Sequence, residues 1–233
     1  MPGRGVGRAL LAWQVARGRE LVAPDVGGDR PVFLRTYAED HLTDRSRLLR
    51  AAGFDARRFA VSMRRDLRDP LPDVPLPDGL RAVELDPADD VLVDGVRRAH
   101  NEAFAGHWGS EPFEPDDWRR RVLVGPGRRP DLSRAVLDGE RVVAYVVSGT
   151  YPDDWAAQGW TEGWVDLLGV VDSHRGTGLG RHLLVAAMRT YAGEGLEYAG
   201  LGVDVENPRA LGLYTGLGFE ERGRETSWGL DVT

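Results

Sequence analysis

The chain has 233 residues, 42% of them hydrophobic, and a formal net charge of -7; it is long enough to bury a full core in one large or two small domains. It contains no Cys, which excludes disulfides, thiolate nucleophiles and cysteine-ligated metals, and its acidic balance argues against nucleic acid as a partner. No window nears the roughly 18 consecutive apolar residues of a membrane span, and Gly and Arg stand where a secretory signal would be apolar, so no membrane partner and a cytoplasmic location are expected.

The sequence matches itself. Gly3-Arg4-Gly5-Val6-Gly7-Arg8-Ala9-Leu10-Leu11 parallels Gly176-Thr177-Gly178-Leu179-Gly180-Arg181-His182-Leu183-Leu184, and Leu48-Leu49-Arg50-Ala51-Ala52-Gly53-Phe54 parallels Leu213-Tyr214-Thr215-Gly216-Leu217-Gly218-Phe219. The chain therefore reads as a tandem pair whose first copy is cut short. That first copy, residues 1–68, offers one helix, a strand over 32–37, a helix over 43–52 and a charged, alternating closing strand. Its sheet lacks opening strands, so it is expected to dock on the rest of the chain or on a second chain, making a homodimer one outcome.

Residues 69–79 hold Pro70, Pro72, Pro75 and Pro77, which forbid a regular helix and favour an extended linker. A complete domain follows over 80–233. Strand 80–85 leads to a helix over 87–104, and 116–124 reads as another helix. Strands 133–137 and 141–149 join through the turn signal Asp138-Gly139. A strand over 163–171 and a helix over 179–192 come next, then a strand over 200–205 and a short helix over 208–216 capped by Asn207. Helices alternating with strands around a hairpin describe a mixed α/β (α+β) fold.

The strongest chemical signal is the strand running into Asp172-Ser173-His174-Arg175-Gly176-Thr177-Gly178-Leu179-Gly180. Glycines let backbone amides converge, and the helix that begins there adds unpaired N–H groups and the positive end of its dipole, which suits a pyrophosphate. No Gly-Lys-Ser/Thr follows, which disfavours a Walker loop. The loop lies late in the domain with no second βαβ unit, which disfavours a dinucleotide fold.

Arg175-x-x-Gly178-x-Gly180, followed by Asn207-x-x-Ala210-x-x-x-Tyr214-x-x-x-Gly218-Phe219, resembles the GNAT superfamily of acyltransferases over about residues 80–230. The tandem arrangement with the working copy second resembles that of mycothiol synthase, whose acceptor is the amine of a cysteinyl pseudodisaccharide. The resemblance implies a GNAT-like fold and acetyl-CoA as cosubstrate, bound where the central strand parts from its neighbour. The backbone of Leu168 and Val170 would pair with the pantetheine arm. The amides of Arg175, Gly176, Gly178 and Gly180 would hold the pyrophosphate, and Asn207 could add a contact beside its cap. Tyr214 matches the family's general acid. In the first copy Pro2 stands in place of the loop Arg, so that copy cannot form a complete site.

The base is less determined. Strand alternation puts Glu162, Trp164, Asp166 and Leu168 on one face if no bulge intervenes. Many GNAT members carry Glu at or near the position of Trp164, so the candidates become Asp166 through water, then Glu162, then Glu102. His100-Asn101-Glu102-Ala103-Phe104-Ala105-Gly106-His107-Trp108-Gly109 could shape a ring-lined acceptor pocket, or Phe104 and Trp108 could anchor the core. His100 and His107 make no metal site at their spacing, and no metal is expected. The expected activity is N-acetyl transfer to a primary amine of a small molecule. A catalytically silent acyl-CoA-binding module is the alternative.

Overall fold

The computed structural model describes residues 5–28 and 31–232; Pro2, Gly3 and Arg4 of the first repeat lie outside these. The chain divides into two compact units, neither contiguous in sequence: one of residues 1–63, 203–212 and 221–233, the other of residues 64–202 and 213–220.

The first unit holds helix α1 (Val6–Val22), strand β1 (Phe33–Glu39), helix α2 (Thr43–Ala51), most of strand β2 (Asp55–Asp66) and nearly all of the last strand, β8 (Glu220–Asp231). Strand β1 pairs antiparallel with β8 from Phe33↔Asp231 to Glu39↔Glu225. The segment that begins the chain is therefore completed by the strand that ends it. Ala38, Leu49, Phe54 and Trp228 form its buried cluster, with Leu11, Val15, Leu34 and Leu230 packed against them. Burial of those side chains, Trp228 above all, drives the pairing.

The second unit contains strand β3 (Leu80–Glu84), helix α3 (Asp90–Ala103), a four-residue helix α4 (Pro115–Trp118), strands β4 (Arg134–Asp138) and β5 (Arg141–Gly149), helix α5 (Pro152–Gln158), strand β6 (Glu162–Val170), helix α6 (Leu179–Gly193) and most of strand β7 (Tyr198–Asp204). Helix α7 (Pro208–Thr215) enters it at Leu213. The strands lie in the order β7-β6-β5-β4-β3, with β6 and β7 parallel and the other pairs antiparallel. Strand β5 is the centre: every residue after Arg141 is buried. Asp89 caps α3 by accepting from Leu92 N at 3.0 Å, and Val93, Val96, Ala99, His100 and Ala103 recur on its buried side, the 3–4 spacing that one covered helix face requires.

Two stretches differ from expectation. Of the expected 116–124 helix only 116–118 is α-helical, as part of the short helix Pro115–Trp118, and a π-helical turn continues it over Arg119–Leu123. Trp118 and Leu123, five residues apart, are both buried, and a π turn brings that spacing onto one side. Between strands 141–149 and 163–171, where the sequence marked no element, lies α5, with Asp153 and Asp154 in its first turn behind Pro152, where Pro fits the helix start and the carboxylates meet its positive end. The proline segment runs without regular structure, as expected, and is pinned along α6: His182 Nδ1 lies 2.8 Å from Val74 O, and Arg189 Nη2 donates to Pro72 O at 3.0 Å. Among the described residues no helix is long and apolar enough to cross a membrane.

Candidate active site

The site begins with an irregularity in β6. Against β5 the register runs Val147↔Leu167 and then Ser148↔Val165, so Asp166 is an extra residue without a partner, a β-bulge. Directly paired residues share a face. Glu162 and Trp164 therefore lie on the face of Tyr145 and Gly149, while Leu168 and Val170 lie on the opposite face with Val165. The single face expected to carry Glu162, Trp164, Asp166 and Leu168 is broken by this bulge, and Leu168 is the residue that changes sides.

Strand β6 separates from β7 at the same place. Parallel pairing runs from Glu162↔Tyr198 to Val165↔Leu201 and stops. Val171 N donates to Val143 O of β5 at 2.9 Å, so by alternation the peptide groups of Leu168 and Val170 point to the other edge of β6, which β7 has left and where Val170 O accepts from Arg175 Nε at 3.3 Å. An extended polar arm can pair with that edge as a strand would.

At the end of β6 the chain makes a 3-10 turn over Asp172–His174 and enters the glycine loop. Gly176 and Gly178 take φ of +83° and +92°, conformations that favour glycine, and a Cβ at either would stand in open space. Gly178 is the N-cap of α6 and supplies no side-chain acceptor, and the first turn carries no acid. The amides of that turn have no partner within the helix. At Gly180 a Cβ would lie 3.4 Å from Leu213 Cδ2, so the small residue lets the end of α7 approach the start of α6. The Arg175 side chain spans three elements: Nη2 donates to Ala103 O at the end of α3 at 2.8 Å, Nη1 pairs with Asp172 at 2.7 Å, and Nε donates to Val170 O at 3.3 Å. Its side chain therefore joins loop to helix.

Tyr214, next to Leu213, is buried beside Phe219, ring centroids 6.0 Å apart. Burial pushes its hydroxyl up to about 12, so it keeps its proton near neutrality. Asn207 accepts from Ala210 N at 3.1 Å, the capping role expected for it.

The expected bases have different surroundings. Asp166 accepts from the Tyr151 hydroxyl at 2.7 Å and pairs with Arg128 Nη1 at 2.5 Å, both through Oδ1, while its Oδ2 is buried without a hydrogen-bond partner. Burial raises the Glu162 carboxyl above its usual range, against the opposing pull of the Trp160 Nε1 donor at 3.2 Å and the Arg64 charge. Glu102 is taken by Arg141 at 2.8 Å. The Trp164 indole lies across Gly200, where a Cβ would overlap its ring, and Arg64 sits between the rings of Trp160 and Tyr198, 4.0 and 4.2 Å from their centroids. Trp155 lies on α5.

In the acceptor segment, His100 is enclosed by Phe104, Phe113, Trp118 and Tyr145, ring centroids 4.6 to 6.0 Å away, with Nδ1 2.6 Å from the Tyr145 hydroxyl. Burial, aided by His107, lowers it to about 4, so at neutral pH it is an uncharged part of the core. Trp108 is exposed. Arg128 and Tyr151 were not legible as site residues. The only local hint is the turn Gly125-Pro126-Gly127 ahead of one and Pro152 behind the other.

Residues 93–219 match the acetyltransferase (GNAT) family, and this stretch spans the bulge, the open edge, the glycine loop and Tyr214.

The chain belongs to the GNAT family.

It is 33% identical to the mycothiol acetyltransferase of Acidothermus cellulolyticus over 99% of its own length and 66% of that protein's. It is 31% identical to that of Thermobispora bispora, over 99% and 70%. In backbone it is similar to a GCN5-related N-acetyltransferase from Sphaerobacter thermophilus (TM-score 0.71, 23% identity, 98% of this chain and 70% of that one) and to a tandem GNAT protein from the clavulanic acid biosynthesis pathway (TM-score 0.68, 20%, 99% and 71%). The chain thus spans about two thirds of the length of these relatives. GNAT enzymes use acyl-CoA, and the residues present fit it. Open glycines and first-turn helix amides without an intrahelical partner suit the pyrophosphate, and the edge at Leu168 and Val170 that β7 leaves suits the pantetheine amides.

Proposed function

We propose that this GNAT chain transfers the acetyl group of acetyl-CoA directly to a primary amine of a small molecule, and that it works in the cytoplasm without a metal. The observation that carries the reading is the coincidence, in one unit, of the open β6 edge, the glycine-opened helix α6 and a buried tyrosine at the neighbouring end of α7. Bound acetyl-CoA supplies an activated thioester. The amides of Gly176, Gly178 and Gly180 hold its pyrophosphate, whereas that of Arg175, expected to join them, already donates to Asp172 O at 3.2 Å and closes the turn before the loop. The peptide groups of Leu168 and Val170 orient its arm. Tyr214, protonated at neutral pH, donates to the departing thiolate.

A proton must also leave the attacking ammonium. Glu162 is the better acceptor, because its burial makes it a stronger base and, among the described residues, no arginine forms an ion pair with it as Arg128 does with Asp166. The shared name of the relatives makes a cysteinyl pseudodisaccharide amine the first acceptor to assay. Trp164, where many GNAT members carry Glu, is the observation that favours a silent acyl-CoA-binding module as the second reading.

Calorimetric titration with acetyl-CoA tests the site. Wild type is expected to bind, and Gly178→Glu, which places a carboxylate in the cradle, to abolish binding. Absence of binding by wild type refutes the reading. Binding without CoA release across an amine panel turns it to the silent module.

A further inference from the structure

Three segments of the second unit converge on the bulge. Asp166 is the first residue of β6 beyond its pairing with β7. Its Oδ1 accepts from the Tyr151 hydroxyl at 2.7 Å and from Arg128 Nη1 at 2.5 Å, and Arg128 Nη1 also donates to the Tyr151 oxygen at 3.0 Å, closing a triangle. Oδ2 packs over Gly149, where a Cβ would come within 2.6 Å. Arg128 is held in turn. Its backbone bridges Gly149, Thr150 N donates to Gly127 O at 2.8 Å, and Arg129 N donates to Ser148 O at 2.9 Å. Gly127 takes φ +76° with the Tyr151 ring 2.6 Å from where its Cβ would be. Residues 127–129 therefore lie along the end of β5 and deliver a guanidinium to the bulge.

A bulged residue gives up its place in the ladder, and a strand freed from it can slip by one residue and resume regular pairing. Regular pairing here would carry β6 along β7 past Val165 and engage the peptide groups of Leu168 and Val170. It would also return Leu168 to the Trp164 face. Something must make the bulged conformation the better one, and among the described residues the groups gathered on the Asp166 carboxylate are the Tyr151 hydroxyl and the Arg128 guanidinium, a charge-assisted pair in a largely buried site.

We propose that Arg128 and Tyr151 are positioning residues that clamp Asp166 in its bulge and so hold open the β6 edge on which the acyl-CoA arm lies. Asp166 is thereby an anchor and not the catalytic base. The inference rests on the acyl-CoA reading for its effect on binding, and on the chain alone for its effect on the strand.

The test uses Asp166→Asn, Asp166→Ala, Tyr151→Phe and Arg128→Met in the full chain. It reads acetyl-CoA affinity, kcat, and amide hydrogen exchange at residues 167–170 without ligand. Asp166→Asn keeps an oxygen that both donors can reach but loses the charge that answers Arg128, and is expected to weaken acetyl-CoA binding less than Asp166→Ala does, with a smaller fall in kcat than a lost base would cause. Asp166→Ala and Tyr151→Phe are expected to weaken acetyl-CoA binding about tenfold, the order of effect that a misplaced site produces, with Arg128→Met alongside them. In the same three variants the amides of Leu168 and Val170 are expected to become more protected as β6 regularises. Loss of kcat in Asp166→Asn at unchanged affinity would make Asp166 the base and overturn the proposal. Unchanged exchange in Asp166→Ala would overturn it as well. If wild type binds no acetyl-CoA, the acyl-CoA reading fails, and the exchange pattern still decides the clamp.

Discussion

At the scale of single residues, the site depends on where protons rest. Tyr214, held at about 12 by burial, can donate throughout the neutral range. Glu162 has a raised pKa, again chiefly from burial, so it must lose its proton before it can accept another. The rate is therefore expected to fall as pH drops through the Glu162 value, and Glu162→Gln to abolish that acid limb together with most of kcat, by about 100-fold or more. The same shift has a stability consequence of opposite sign. A carboxyl whose folded pKa is raised stabilises the fold below its unfolded value, near 4.5, and that contribution is lost as pH rises through the folded value. Glu162→Gln is accordingly expected to raise Tm at pH 7 and not at pH 4, as scanning calorimetry at the two pH values would show. Residue types near the site were legible from sequence: Tyr214, Asp166 and Glu162 could be picked out by motif and alternation. Their surroundings were not. That Asp166 is paired with Arg128, 38 positions earlier, and Tyr151 is a product of the folded loop over 127–129.

At the scale of elements, sequence periodicity located almost every helix and strand, because a buried face writes its 3.6- or 2-residue period into the chain. The exceptions have a common cause. The π turn after Trp118 and the bulge at Asp166 each insert a departure from the period, and what stabilises them is contact with other elements. Close approaches of the same kind explain several glycines. A Cβ at Gly169 would overlap the Tyr145 ring, which is fully buried and hydrogen-bonded to His100. The ring has no free side to move to, so Gly169→Ala is expected to cost about 1–3 kcal/mol, measured by urea denaturation. An unchanged midpoint would show that the ring can yield.

On the scale of the whole molecule, the internal repeat was plain from residues, whereas the course of the closing strand was not. Strand β8 pairs with β1 nearly 200 residues away and brings Trp228 into the cluster of Ala38, Leu49 and Phe54. Trp228→Ala is expected to destabilise that unit by about 3–5 kcal/mol, seen as a lower denaturation midpoint. A value under about 1 kcal/mol would mean that the cluster refills without the indole. What the sequence by itself determined is local or repetitive: the element periods, the glycine loop at a helix start and the two spaced motifs of the GNAT family. These follow from short-range sterics and from patterns that one segment carries alone. Only the tertiary structure decided which strand completes the first unit, where β6 leaves β7, and which side chains hold it there. Each of those depends on contacts between residues far apart in the chain, whose pairing energies no single segment records.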